Sequence, residues 1–146
     1  MKLGERGELL IKEYEHLALK AYLPTSHDRW TIGWGHTRGV KSGMSCTVEQ
    51  ADIWFAEDVE IAVSDVNKEG MALTQSMFDA LVSLVYNVGP MPVTNRSVIG
   101  RALAVGNYFV AWQYFALWRK QGNKNLLGLA RRRAREMVLF LEDGLP

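Results

Sequence analysis

Apolar and polar positions recur along this chain with two different periods, and the switches between them lay out its elements. From Glu5 to Leu19, the residues Leu9, Leu10, Tyr14 and Leu17 fall at helical spacing, which predicts a first helix over about that span. The period then shortens. "KAYL", the run "PTSHD" and "RWTIGWG" read as a hairpin. Pro24 and the Thr-Ser-His-Asp run supply turn chemistry, and Trp30 and Ile32 alternate with Thr31 and Gly33. "TRGVKSGMSC" reads as a Gly- and Ser-rich loop. Helical spacing returns at Thr47, where "TVEQ" fits a capping box opening a helix to about Asn67. "LTQSMFDALVSLVYNVGP" predicts a helix capped by Thr74. Its buried face is Phe78, Leu81, Val82 and Val85, and Gly89 then Pro90 end it. Ser97 caps "VIGRALAVGN", "YFVAWQYFALWRKQ" reads as a further helix, and "LGLARRRAREMVLFLED" as the last, with Leu129, Met137, Val138 and Phe140 apolar. One helix, a small β region and a helical remainder make an α+β chain with a helical lobe.

Composition narrows this to a single globular domain: 146 residues, 48% hydrophobic and 23% charged. No apolar run is long enough to span a bilayer, and charges break up "MKLGERGELLIKEYE", so neither a secretory signal nor an anchor is expected. Cys46 is the one cysteine, so an intramolecular disulfide is excluded. It reads as a small residue ahead of a helix, since no neighbouring base would activate it. His16, His27 and His36 lack metal-ligand spacing, and Gly33 and Gly35 do not extend to a phosphate loop, so no metal and no cofactor is expected.

Charge adds one feature. The net charge is only +1, but 49–69 is rich in acids, and between Asp79 and Glu136 there are none. That second stretch carries Arg96, Arg101, Arg119, Lys120, Lys124, Arg131, Arg132, Arg133 and Arg135. Such segregation suggests an anionic partner surface, the cell wall or the lipopolysaccharide of an outer membrane, against the plainer reading of a solvated face. The "RRR" run sits in an amphipathic helix with no DNA-binding motif around it, so nucleic acid is not expected as a partner.

Candidate chemistry lies near the start. Glu15 falls in the last predicted turn of the first helix. There the helix dipole and partial burial would both raise a carboxyl pKa, as a general acid requires. Glu13 lies close by, and periodicity does not choose between the two, nor between a catalytic and a surface role. Trp30 and Trp34 flank Gly33 and could stack on sugar rings or pack a core.

Taken together, the Glu-led segment ending "AY…WTIGWGHT", the helix "LTQSMFDALVSLVYNVG" and the closing "GLARRRAREMVLFLEDG" resemble the phage T4-type lysozymes, glycoside hydrolase family 24. The three matches come in order and cover nearly the whole chain. The resemblance implies a lysozyme-like α+β fold over 1–146: a small β-hairpin-containing lobe and a larger helical lobe joined by the helix at about 48–67, with a cleft between them. It implies a cofactor-free endolysin, or muramidase, that hydrolyses the β-1,4 bond between N-acetylmuramic acid and N-acetylglucosamine in peptidoglycan. Such an enzyme is expected to be a monomer that waits in the host cytoplasm until a holin or similar pore admits it to the wall. On this resemblance Glu15 matches the catalytic glutamate and Thr31 the threonine of the "TIG.GH" string. His36 is its structural histidine, with Trp34 beside it. Asn87 is a backbone brace, and Arg132 and Arg133 are the paired arginines, one of which would approach Glu15 and orient it.

The sequence departs from the family in three places. His16 stands at the family's usual glycine after the glutamate, the segment before Thr31 is one residue longer than the usual pattern, and the catalytic aspartate's position, counted from the tyrosine of "AY", falls on Pro24. Asp28 is the nearby carboxylate. In a tight hairpin its side chain can reach the space that residue 24 would serve, since opposed Cβ atoms stand about 5 Å apart. It reads either as the second carboxylate, sharing a water with Thr31 across the ~6.5 to 9.5 Å of an inverting site, or as a turn cap. Two other activities stay open: lytic-transglycosylase-like cleavage by Glu15 alone, and a non-catalytic peptidoglycan-binding module.

Overall fold

A computed structural model describes residues 1–146. Its elements run α1 (Glu5–Glu15), β1 (Ala18–Tyr22), β2 (Thr31–Gly33), α2 (Val48–Lys68), α3 (Gln75–Val88), α4 (Val98–Ala104), α5 (Tyr108–Tyr114), β3 (Lys120–Gln121), β4 (Lys124–Asn125) and α6 (Leu127–Leu141). They form two compact units, Lys12–Ile61 and a second made of Met1–Ile11 with Ala62–Pro146, so the division falls inside α1 and inside α2.

The unit Lys12–Ile61 is built on a small antiparallel sheet. β1 pairs with β2 in the register Ala18↔Gly33 and Tyr22↔Thr31, with an irregularity between those pairs that spends the longer β1 against a three-residue β2. On its other side β1 meets 44–46: Ala21 N–H donates to Met44 O and Cys46 N–H to Leu19 O. The end of the predicted Gly/Ser loop therefore satisfies backbone groups that a bare edge would leave open. Ile32, Ala51 and Phe55 are buried beneath. Thr47 Oγ1 accepts the Gln50 N–H, so the predicted cap starts α2 where expected.

In the other unit α3 is the centre. Every residue from Ser76 to Val85 is buried, the mark of a helix surrounded by others rather than one with a single apolar face. Thr74 accepts from Met77 N, and Gly89 takes φ +81 at the other end, both as predicted. Its neighbour α6 buries Leu139 and Phe140 and exposes Val138.

Two predicted elements came out differently. α1 stops at Glu15, four residues early, because His16 adopts φ +56. Its N–H donates to Lys12 O at 3.1 Å, the single-bond left-handed helix end usually made by glycine. The face α1 buries is Gly7, Leu10 and Ile11, while Leu9 lies exposed. The helix predicted over "YFVAWQYFALWRKQ" ends at Tyr114, passes through a 3-10 turn at Phe115–Leu117 and becomes the β3–β4 hairpin.

Candidate active site

Glu15 is the last residue of α1, and the left-handed turn at His16 sends the chain straight into β1. The loop after β2 comes back to meet it. Ile32 and His36 exchange both backbone hydrogen bonds at 2.9 Å, which closes a three-residue loop of Gly33, Trp34 and Gly35. The two glycines sit at φ +64 and +89, where a side chain would be strained. Gly35 has a second constraint: a Cβ built on it would lie 2.6 Å from Glu15 Oε2. The bare backbone of Gly35 is thus the surface on which the Glu15 carboxylate rests.

Tyr22 and Thr31 face each other in the β1–β2 register. Burial, and after it the Glu15 charge, push the Tyr22 phenol above its usual pKa, which places the tyrosine within the field of that carboxylate. Thr31 is buried, and its hydroxyl donates to Arg29 O at 3.0 Å, which uses its proton and leaves its oxygen in the role of acceptor. Tyr22 was missed as a site residue by sequence reasoning, although the "AY" of the motif contained it.

Two further residues hold the loop. Trp34 donates its indole N–H to Asp52 Oδ1 on α2 at 2.9 Å, and the Lys12 ammonium lies 5.2 Å from its ring centroid and 3.5 Å from Asp52. His36 is buried between Asp58 Oδ2, 2.7 Å from Nδ1, and Arg38 O, 3.0 Å from Nε2. A neutral ring satisfies one of these acceptors and an imidazolium both. Its ring stacks on Trp54 at 4.9 Å. Both residues therefore tie the glycine loop to α2.

Asp28 closes the turn between the strands: its backbone N–H donates to Thr25 O at 3.1 Å, and its side chain is half-buried. Cys46 has no activated thiol, since burial pushes it up and a backbone hydrogen bond with Gly33 offsets only part of that. No group of three or more His, Cys, Asp or Glu converges to hold a metal ion.

Arg132 and Arg133 belong to the other unit and to a buried polar cluster. Glu136 Oε1 accepts from Ser83 Oγ at 2.7 Å, Arg132 Nε at 3.1 Å and Arg133 at 2.9 Å. Arg133 Nε also lies 2.7 Å from Glu136 Oε2, and Arg133 donates to Asn87 Oδ1 at 3.0 Å and to Trp118 O at 3.2 Å. Asn87 is thus a brace for Arg133. Burial pushes the Glu136 carboxyl up, against the pull of Arg133 and Arg132. These two arginines are 3% and 1% exposed, so the basic surface suggested by the sequence excludes them.

A family model described as phage lysozyme matches residues 12–136. The endolysin of Acyrthosiphon pisum secondary endosymbiont phage 1 is 39% identical over 145 residues, 96% of this chain and 98% of that one. The endolysin of Bacillus phage PZA is 40% identical over 150 residues, 100% of this chain but only 57% of the longer protein. Among solved structures, the endolysin from Escherichia coli O157:H7 phage FAHEc1 matches with a TM-score of 0.85 at 34% identity, covering 100% of this chain and 97% of that one.

Proposed function

This chain belongs to the phage lysozyme family, and we propose that it is an endolysin that hydrolyses the glycan strands of bacterial peptidoglycan and so lyses the host cell. The carrying observation is the placement of one carboxylate: Glu15, at a helix end, against a glycine whose missing side chain makes room for it. In this reading Glu15 protonates the glycosidic oxygen between N-acetylmuramic acid and N-acetylglucosamine as the bond to the muramic C1 breaks. A water adds at C1, and its proton passes to Asp28, with Thr31 orienting it. Atoms balance with no cofactor, and the product carries a reducing muramic end. Trp34 and His36 support the loop under Glu15, and Arg132 and Arg133 act through the cluster they build on Glu136. No helix is long and apolar enough to cross a membrane, and access to the wall through a separate pore such as a holin is part of the proposal.

A second reading, a transglycosylase-like closure of an anhydro ring by Glu15 alone, draws support from Pro24 standing at the family's aspartate position. Glu15→Gln is the test of the acid. It should lower cleavage of purified peptidoglycan by ~10² to 10⁴ or more while shifting stability by under about 1 kcal/mol. Cleavage near the unmodified rate would remove Glu15 from the mechanism.

A further inference from the structure

The β3–β4 hairpin and the outer face of α6 are not used by the chemistry above. Gln121 pairs with Lys124 across a two-residue loop in which Gly122 takes φ +58, so Lys120 and Lys124 stand exposed beside the tip. Leu126 N–H donates to Arg119 O at 3.0 Å, which draws the two flanks of the hairpin together. Those flanks end in leucines that are not buried: Leu117 is 59% exposed and Leu127 68%. From Leu127 the exposed side of α6 continues through Arg131 to Val138, which is 63% exposed. The opposite side of the same helix buries Arg132, Arg133, Glu136, Leu139 and Phe140. All of the patch but Val138 lies in the stretch that carries no acidic residue from 80 to 135, and Glu136, which follows it, is buried.

We propose that this patch, the hairpin lysines with Leu117, Leu127, Arg131 and Val138, is a docking surface for an anionic phospholipid bilayer. Cations alone would suit any polyanion, hydrated wall polymers and nucleic acid included. The exposed leucines and valine decide the matter. They gain little against a hydrated polymer, but they partition into the boundary between headgroups and acyl chains while the cations pair with the phosphates. The arrangement is that of an interfacial helix, with the difference that its inner face is already occupied by the fold. Binding would concentrate the protein at the membrane surface, independently of which bond it cleaves.

The test is co-sedimentation of the whole protein with vesicles of phosphatidylcholine alone and of phosphatidylcholine mixed with phosphatidylglycerol, and with purified peptidoglycan. The protein should pellet with the phosphatidylglycerol vesicles and stay in solution with the neutral ones. Replacing both lysines (Lys120→Gln with Lys124→Gln) should weaken that partition by roughly twentyfold or more, at about fivefold for each cation. Leu127→Ser should weaken it severalfold yet leave pelleting with peptidoglycan and cleavage of soluble glycan unchanged, and the melting curves of all variants should overlay. Equal partition onto neutral and anionic vesicles would overturn the proposal. So would a Leu127→Ser variant that binds anionic vesicles as well as the unmodified protein, because the patch would then be a plain polyanion surface, for the wall or for nucleic acid.

Discussion

Gly35 carries two constraints at once, and a second glycine separates them. Gly35 has φ +89 and the Glu15 carboxylate against it, whereas Gly39 has φ +70 and nothing within 4 Å of a Cβ. Alanine at either position should cost about 1 to 2 kcal/mol through left-handed strain. Only Gly35→Ala should also displace Glu15 and lower cleavage by about tenfold or more, since small misplacements of a catalytic group are that expensive. Equal activity of the two variants, at matched folding by thermal melts, would mean that the close approach has no catalytic weight. Asp28 poses the other residue-scale question. Its backbone already closes the turn through Thr25 O, so Asp28→Asn leaves that bond in place. The rate should then fall by ~10² or more with little change in melting temperature if the carboxylate takes the water's proton. Retained activity, measured as initial rates on purified wall, would return Asp28 to the role of turn residue.

At the scale of elements, the end of α1 and the inner face of α6 each make a measurable statement. His16 holds a left-handed conformation that glycine adopts without penalty, so His16→Gly should raise stability by about 0.5 to 1 kcal/mol in urea unfolding. A fall would show that the histidine side chain contributes more than the strain costs. In α6, Arg133→Met would leave the buried Glu136 carboxylate short of its closest charged partner, at a cost of ~3 to 5 kcal/mol. The sign with pH follows from the raised Glu136 pKa. The folded protein holds that proton more tightly than the unfolded chain, so stability is fullest below the unfolded value near 4.5 and is lost as pH rises through the folded value. The Arg133→Met deficit should therefore be larger at neutral pH than near pH 4.5, read from melts across that range, and a deficit independent of pH would assign the loss to packing.

These elements also show where the sequence stopped being informative. The caps at Thr47, Thr74 and Ser97 were legible because side-chain oxygens and backbone N–H groups interact locally. The end of α1 was not, because helical periodicity runs through His16 without a mark, and Leu9 on the expected apolar stripe is 61% exposed. The β3–β4 hairpin left a signal that the aromatic run of α5 overrode: Gly122 and Asn123 are the two-residue turn chemistry of a tight hairpin.

For the whole molecule, the charge pattern along the sequence overstated the basic surface. Two of its nine cations, Arg132 and Arg133, are buried on Glu136, and nothing in a string of arginines reveals that a partner three or four residues on will draw two of them inward. The candidate site divides similarly. Glu15, Thr31, Trp34 and His36 fall in the unit Lys12–Ile61, where local strand and loop geometry gathers them, and the "TIGWGHT" string showed the grouping of the last three directly. The roles of these residues were not visible in periodicity; they came from the resemblance of three motifs, now matched by a family model over 12–136. The choice between a hydrolase with two carboxylates and a lone acid was left open by Pro24.

Mass spectrometry of the fragments released from purified peptidoglycan addresses that choice and the central claim together, with Glu15→Gln as the control. The unmodified protein should release fragments ending in reducing N-acetylmuramic acid, and Glu15→Gln almost none. Fragments ending in anhydromuramic acid, or no fragments from the unmodified protein, would contradict hydrolysis by Glu15 with a second carboxylate.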